Sequence, residues 1–307
     1  MKRSFTGAAK KNRRQLHALF HVGALAMAVP TIDALSAEAD ESVKRDKSKY
    51  TLFDPTPREW MREMHTDRPD KTESPFTVDA GHFQVEADIL NYAYDRHNAA
   101  RNDTRVETVS IAPMNLKVGI GNDLDLQLVL ETYLSVRTHD IASSTVQRNR
   151  GFGDVFLRAK WNAWGNDGGA TAFGVMPYLK LPTNQDNLGN NSAEGGLIFP
   201  FAVELPAGWS MGLMTQFDII RDANGSGYHP EFLNSITFGH DIAGNLAGYV
   251  EFFSAVSTES ETDWVSTLDI GLTFGLTEDI QLDGGVSIGV TRAADDINPF
   301  IGISWRF

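Results

Sequence analysis

The sequence predicts an all-β protein: a transmembrane antiparallel up-and-down β-barrel of about 12 strands, preceded by a cleaved signal peptide and a short periplasmic segment. Three observations predict this fold. Segments of alternating apolar and polar residues recur from residue 81 onward, most of them long enough to cross a bilayer when tilted, which takes about 9–11 residues. The breaks between these segments alternate between short and long. The last segment, residues 297–307, carries Trp305 and Phe307 on its apolar side.

Residues 1–39 have the features of a secretory signal peptide. A long cationic region is followed by an apolar stretch from Leu16 to Val29, and Ala37-Glu38-Ala39 is a small-x-small cleavage site. Because the apolar stretch is too short to span a bilayer comfortably, we expect it to be removed after Ala39.

Residues 40–80 carry no strand pattern, and we expect them to form a periplasmic segment. Thr56-Pro57-Arg58-Glu59 offers an N-cap, a proline at the first helical position and an acid in the first turn, which predicts a short helix over residues 57–64. The preferred interpretation of the segment is a solvated tail, because it is polar and rich in both charges. The alternative is a plug or gate that folds into the barrel mouth.

Residues 81–307 form the predicted barrel domain. The alternation is clearest over residues 124–131, with the sequence LDLQLVLE. Strands of soluble proteins average only about five or six residues, so the length of these segments favours membrane insertion. The predicted strands are 82–95, 104–119, 123–138, 153–164, 170–182, 195–206, 208–221, 229–241, 245–258, 262–276, 279–292 and 297–307.

The connections indicate the orientation of the barrel. Tight turns rich in Gly, Asn and Asp alternate with longer polar connections, although two later connections, at 259–261 and 293–296, are short. Bacterial barrels have short periplasmic turns and longer extracellular loops, so an even strand number places both termini in the periplasm. The predicted long loops are 96–103, 139–152, 183–194 and 222–228.

Composition argues against several classes of protein. Cysteine is absent, which excludes a disulfide framework and a thiolate metal site. The net charge is -13, and removal of the signal peptide makes the chain more acidic, which argues against a nucleic-acid partner. No apolar run of about 20 residues follows the amino terminus, as a helical membrane protein would need. We expect no metal and no cofactor.

Charged residues of both signs fall on the inward parity of the strands. Basic residues concentrate in the second to fifth strands and acidic residues in the seventh to eleventh, which favours a polarised channel. The alternative is a network of charges that neutralise each other in a filled interior. The predicted lumen-lining or selectivity residues are Glu131, Arg137, Arg158, Lys160, Lys180, Tyr178, Glu204, Asp218 and Glu251.

A catalytic function was weighed against these interpretations, since some barrels of this kind hydrolyse lipids. The group nearest to a catalytic constellation is His240 with Asp241 and Ser235, and a histidine that caps a turn explains it better. The sequence therefore predicts no enzyme and no catalytic residues.

Several blocks of the chain form a recognisable pattern. They are Leu52 to Arg58, Thr66 to Pro75, Val78 to Gln84, Gly151 to Asp154 with Lys160-Trp161, Lys180 to Thr183, and Glu194 to Gly196. This pattern resembles the family described as "Putative MetA-pathway of phenol degradation". The resemblance implies passage of aromatic or other small compounds across the outer membrane, but it does not identify a substrate, and no binding residues can be carried over.

The combined expectation is an outer-membrane channel or transporter for passive passage of small solutes, including aromatic or hydrophobic compounds. The alternatives are a lipid-modifying enzyme of the outer membrane and a structural or adhesive surface barrel. We expect a monomer surrounded by outer-membrane lipid and lipopolysaccharide, with Trp305 and Phe307 as the signal for the barrel assembly machinery. Asp67, Arg68 and Asp70 are predicted to lock the tail to the barrel mouth, unless they merely form a turn.

Overall fold

The computed structural model describes residues 46–98, 104–223, 225, 227–260 and 262–307. The predicted signal peptide, residues 1–39, lies outside the described residues. Within the described part, fifteen antiparallel strand segments form one sheet, and the last segment pairs with the first, so the sheet closes into a barrel. None of the helices in this part is long and apolar enough to cross a membrane.

The strand segments follow one another along the chain. They are β1 (Phe83–Asn98), β2 (Thr104–Ile111), β3 (Met114–Gly121), β4 (Leu124–Leu130), β5 (Tyr133–Asp140), β6 (Thr145–Gly151), β7 (Val155–Trp164), β8 (Thr171–Leu181), β9 (Glu194–Leu205), β10 (Trp209–Arg221), β11 (Tyr228–Ala243), β12 (Leu246–Ser257), β13 (Val265–Thr277), β14 (Ile280–Gly289) and β15 (Ile297–Arg306).

The fifteen segments make twelve barrel strands, because three strands are interrupted. β2 and β3 pair with successive parts of β1, and the chain bends between them at Ala112, whose φ is +53°, and at Pro113, which has no N–H for the ladder. The interruptions between β4 and β5 and between β6 and β7 lie next to each other, since Gly153 N donates to Glu131 O at 2.9 Å. The predicted count of about twelve strands is confirmed.

Two local predictions are wrong. Residues 139–152, predicted as a loop, contain the end of β5 and all of β6. Both faces of β6 are largely exposed, so its sequence needs no apolar face and shows no strand pattern. Only its pairing with β5 defines it as a strand. The predicted helix over residues 57–64 is a single 3₁₀ turn at Arg58–Trp60, because no side chain caps it and Met61 is already extended.

The barrel is polar inside and apolar outside. The fully buried side chains include Lys160, Glu86 and Glu251, whereas outward-facing Leu268 and Leu272 are 42% and 50% exposed. In water, a continuous belt of exposed aliphatic side chains would be unfavourable, whereas hydrocarbon solvates it. The burial pattern is therefore that of a transmembrane barrel.

Exposed tryptophans mark both ends of the apolar belt. Trp209 and Trp305 lie at the end that carries the short turns, and Trp264 lies at the opposite end. Amphipathic tryptophan rings prefer the level of the lipid headgroups. We call the first of these the turn end and the second the loop end.

Candidate functional site: a loop inside the barrel

The chain preceding β1 enters the barrel from the turn end and returns to the same end. At the point of entry, the Arg62 carbonyl accepts a hydrogen bond from Arg306 Nη1 at 2.7 Å. On the way back, Val78 N donates to Asp125 Oδ2 at 3.1 Å, and Ala80 bridges to Gly119 just before β1 begins. We call residues 62–80 the lumen loop.

Asp67 and Arg68 join the lumen loop to opposite parts of the wall. The Asp67 carboxylate pairs with Lys117 of β3 and, at 2.5 Å, with Lys160 of β7. The Arg68 guanidinium binds Asp88 of β1 at 2.5 Å and Asp283 of β14 at 2.6 Å. A second hydrogen bond, from Arg68 Nε to Asp283 at 3.2 Å, makes the latter contact bidentate, which is the strongest geometry for this pair.

The apex of the loop lies deeper in the barrel. Lys71 Nζ donates to Asp269 Oδ2 at 2.8 Å and to Thr267 Oγ1 at 2.7 Å, and the Lys71 backbone N–H donates to Glu251 Oε2 at 2.9 Å. Thr72 Oγ1 lies 2.6 Å from both Ser235 Oγ and Glu251 Oε1.

Neighbouring residues complete the contacts of the apex. Glu73 accepts a hydrogen bond from Arg158 Nη1 at 2.7 Å, and Asp70 lies beside Thr237 of β11. The two acids Asp67 and Glu73 thus meet basic residues of the wall, and the two bases Arg68 and Lys71 meet acidic ones.

The preferred interpretation of residues 40–80 as a solvated tail is wrong for the lumen loop. A buried charge in a low-dielectric site must be paired, and inward charges on the strands need partners. The charges of Asp67 to Glu73 supply these partners, so the segment is buried inside the barrel and not solvated. The earlier part, from residue 46 to the 3₁₀ turn, packs on the turn end, where Leu52 N donates to Ile120 O at 3.1 Å.

Glycines on the inner wall leave the space that the loop needs. A Cβ atom at Gly302 would lie 2.0 Å from Arg68 Nη2, and one at Gly119 would lie 2.1 Å from the backbone oxygen of Asp79. A side chain at Gly119 would therefore clash with the backbone of the loop, and one at Gly302 would displace the Arg68 guanidinium.

Three of the predicted lumen residues, Arg158, Lys160 and Glu251, contact the lumen loop directly. Two others pair with each other, since Tyr178 donates to Asp218 Oδ1 at 2.6 Å. Tyr178 also packs on an apolar cluster of Met176, Ile198 and Met214 inside the barrel.

The remaining predicted lumen residues lie near the two ends. Lys180 pairs with Glu194 at 2.6 Å at the loop end, and Arg137 pairs with Glu107 at 3.0 Å in the part of the sheet beyond the strand interruptions. Glu131 lies at the interruption, where its carboxylate accepts a hydrogen bond from Asp154 N at 3.3 Å. Glu204 is exposed near the turn end of β9.

Trp305 and Phe307 lie at the seam where the barrel closes. Phe307 exchanges two backbone hydrogen bonds with Phe83, of 2.9 and 3.0 Å, and the two rings stack at 5.8 Å. Trp305 faces outward and is 50% exposed. These positions present both aromatic residues on the membrane side of the closing strand.

Sequence reasoning missed Lys71, Thr72 and Glu73, although all three contact the inner wall. The available signal was the density of charge in residues 67–73, with five charged residues and one proline among seven. No periodicity accompanies it, so local pattern alone does not distinguish a buried loop from a solvated one.

The cavities around the described residues include one at the turn-end mouth of the barrel and one toward the loop end, on different sides of the lumen loop. The larger has a volume of 890 Å³ and is lined at the turn end by Arg58, Arg62, Met64 and the ends of strands β11 to β15. The smaller has a volume of 200 Å³ and lies toward the loop end, with Lys71 among its lining residues.

The group of His240, Asp241 and Ser235, which was weighed as a catalytic constellation, does not form one. Ser235 faces the lumen, where it contacts Thr72, whereas His240 packs against outward-facing Trp209 with the ring centroids 4.5 Å apart. The sequence does contain one G-x-S-x-G pattern, Gly285 to Gly289, but it lies within β14 instead of at a strand-to-helix turn. Its serine, Ser287, accepts a hydrogen bond at 3.2 Å from Lys71, which is paired with Asp269 and has no lone pair to act as a base.

Comparison with protein families identifies the chain as a β-barrel of a known kind. Residues 66–307 match the family described as "Putative MetA-pathway of phenol degradation", and the chain belongs to this family. The match begins within the lumen loop and includes its apex. No curated protein matches the sequence.

Solved structures with similar architecture include the NanC porin, with 12% identity and a TM-score of 0.46, covering 73% of this chain and 98% of that one. The CymD monoaromatic hydrocarbon channel shows 10% identity, a TM-score of 0.41, and coverage of 73% and 87%. The toluene transporter TbuX from Ralstonia pickettii shows 9% identity, a TM-score of 0.42, and coverage of 74% and 89%. At such scores the similarity says nothing about what crosses this barrel.

Proposed function

We propose that the protein is an outer-membrane channel for passive passage of small solutes, and that the lumen loop is its gate. The observation that carries the proposal is the loop itself. It occupies a polar lumen between two cavities, and reversible ion pairs and hydrogen bonds hold it there. Movement of the loop toward the turn end would join the cavities without breaking the backbone hydrogen bonds between the barrel strands.

In this proposal the turn end faces the periplasm, as short turns do in bacterial barrels. The gate then lies on the periplasmic side, and the chain before β1 can leave the lumen without crossing the membrane. One chain closes the barrel, which supports a monomer surrounded by lipid and lipopolysaccharide. The exposed aromatic residues of β15 would be read by the assembly machinery.

The solute class follows from the family and from the lumen. The family description names phenol degradation, which points to aromatic compounds. The apolar cluster around Met176 lies beside paired charges, so the lumen offers contacts to molecules that are partly apolar and partly polar.

A reversible crosslink tests the gate. Thr72 Oγ1 and Ser235 Oγ lie 2.6 Å apart, and the natural chain contains no cysteine, so the double variant Thr72→Cys/Ser235→Cys can form only one disulfide. In planar bilayers, the oxidised variant should show few openings, and a reducing agent should raise the open probability to the wild-type level or above.

The matched control is Thr215→Cys/Asn234→Cys, an outward-facing pair 2.9 Å apart that joins β10 to β11 next to Ser235 and does not involve the lumen loop. Its conductance should not change on reduction. Equal conductance of the oxidised and reduced Thr72/Ser235 variant would show that solutes pass without loop movement. Absence of conductance in both states, and in the wild type, would favour a structural barrel.

A further inference from the structure

Beyond the apolar belt, the outer face of the barrel is basic at the loop end. The strands β2, β5 and β6 continue there, and their register puts every second residue on the same face as Ile111, an outward-facing residue that is 46% exposed. These outward positions carry arginines on all three strands, in a chain whose net charge is -13. The arginines are Arg105 on β2, Arg137 on β5, and Arg148 and Arg150 on β6. The prediction that Arg137 lines the lumen is therefore wrong.

The two arginines of β6 have no acidic partner within the part of the chain that the structure describes. Arg148 and Arg150 are both exposed, whereas Arg137 is paired with Glu107 at 3.0 Å. Asp186 adds one carboxylate at the edge of β6, where it accepts a hydrogen bond from the Arg150 backbone N–H at 2.8 Å. Arg148 lies directly opposite Arg137, and like charges opposite each other destabilise a pair of strands. An anion bound at this face would remove that repulsion.

Strand geometry gives the level of these arginines relative to the membrane. Tyr133 of β5 faces outward and is 38% exposed, as expected for an aromatic residue at the membrane interface. Arg150 lies opposite Ser135, and Arg148 lies opposite Arg137. With a rise of about 3.4 Å per residue and a tilt of about 40°, they lie about 5 and 10 Å above Tyr133. The headgroup layer is about 5–8 Å thick on each side of a bilayer, so both side chains can reach it.

From these positions we infer that the outer face of β6 binds phosphate groups of lipopolysaccharide in the outer leaflet. A guanidinium group donates two parallel hydrogen bonds to a phosphate, and Arg148 and Arg150 stand on one face about 7 Å apart, so that they can hold one phosphate between them or two side by side. The acyl chains of the same molecule lie against the apolar belt below, which favours a lipid over a soluble anion. The inference rests on the proposed orientation, in which the loop end faces the outside of the cell.

Binding of lipopolysaccharide to the detergent-solubilised protein tests this inference without a conductance measurement. Thermophoresis of the labelled protein should show affinity for lipopolysaccharide at least about tenfold higher than for the same material after enzymatic removal of its phosphates. Arg148→Gln/Arg150→Gln should weaken binding by about tenfold or more, because it removes the donors of both phosphate contacts. Arg148→Lys/Arg150→Lys keeps the charge without the bidentate geometry and should give an intermediate loss. An excess of inorganic phosphate should not displace the lipid.

The matched control removes the same two charges from the other end of the barrel. Lys49 and Arg58 are exposed at the turn end, and Lys49→Gln/Arg58→Gln should bind lipopolysaccharide like the wild type. Equal weakening in both double variants would show that net charge alone attracts the lipid and would overturn the inference. Equal affinity for dephosphorylated material, or displacement by inorganic phosphate, would overturn it as well.

The orientation is tested separately at the turn between β5 and β6. The natural chain contains no cysteine, so Ala142→Cys, at an exposed position, provides a single thiol. In intact cells this thiol should react with a maleimide that cannot cross the outer membrane. Reaction at Ala142→Cys without lipopolysaccharide binding by the wild type would overturn this inference and leave the channel in place. Absence of reaction would refute the orientation and this inference together. Lipopolysaccharide binding by a barrel that never conducts would refute the channel and leave this surface intact.

Discussion

Arg68 is the residue whose loss should open the barrel most clearly. Its guanidinium binds Asp88 and Asp283, and the three side chains are 16%, 12% and 0% exposed. In the variant Arg68→Ala, both carboxylates lose their partner while the loop is inside. When the loop is outside, water solvates them in the wild type and in the variant alike. The substitution therefore destabilises the closed state selectively.

The size of the effect follows from the burial of the pair. Removing one partner of a buried ion pair costs about 3–5 kcal/mol. Since about 1.4 kcal/mol corresponds to a factor of ten in an equilibrium constant, the ratio of closed to open channels should fall by about 100-fold to about 4,000-fold. Single-channel recording in planar bilayers measures this ratio as open probability. Arg68→Lys, which keeps the charge but not the bidentate geometry, should give an intermediate value.

Arg137→Ala is the matched control for this experiment. Arg137 also forms an arginine–carboxylate pair, with Glu107 at 3.0 Å, but the side chains are 38% and 27% exposed and do not contact the lumen loop. Exposed pairs contribute only about 0–1 kcal/mol, so gating should be unchanged. A closed-to-open ratio of Arg68→Ala within about threefold of the wild type would refute the reasoning, because it would assign less than about 1 kcal/mol to a buried bidentate pair.

Three further predictions concern other parts of the molecule. Gly302→Val should open the channel as Arg68→Ala does, because its side chain would occupy the position of the guanidinium; an unchanged open probability in bilayers would contradict the tight fit. Burial raises the pKa of Asp167, but hydrogen bonds from Lys47 and Asn122 outweigh it and hold the pKa below its usual value. The ion pair of Asp167 with Lys47 should therefore hold the chain around Lys47 in place fully above about pH 4 and lose this effect at lower pH. Protection of that segment from proteolysis measures the effect, and Asp167→Asn, which cannot titrate, is the control. Phe307→Ala should reduce the folded, heat-modifiable barrel in outer-membrane fractions several-fold while refolding in detergent stays near normal; an equal loss in both would assign the residue to stability alone.

The barrel was predictable from sequence because its signal is local. Each membrane-crossing strand needs apolar residues on every second position, and this requirement is visible in residues 124–131 without knowledge of any other strand. β6 escaped prediction because it lies beyond the apolar belt, where pairing with β5 and not burial makes it a strand. The break at Ala112 and Pro113 was not predicted for a different reason. It separates β2 from β3, which pair with successive parts of β1, and this pairing is not visible in the sequence of residues 104–119 alone.

The lumen loop was not predictable in the same way, because its partners are far away in the chain. Arg68 and Asp283 are separated by 215 residues, and Lys71 and Asp269 by 198. No window of sequence contains both members of such a pair. Alternation places charges on the inward faces of the strands, but it does not say whether water, a solute or another part of the chain pairs with them.

Once the closed barrel is known, the uneven distribution of the inward charges indicates which part of the chain pairs with them. Lys117, Arg158 and Lys160 form a basic sector on β3 and β7, and the opposite sector on β12 to β14 is acidic. A loop that carried charge of one sign could satisfy only one sector. The lumen loop carries both signs, so that Asp67 and Glu73 pair with the basic sector and Arg68 and Lys71 pair with the acidic one. Withdrawal of the loop would leave the two sectors facing each other across water, which is the transverse field expected from the sequence. The charge pattern of the loop is therefore complementary to the open channel that it closes.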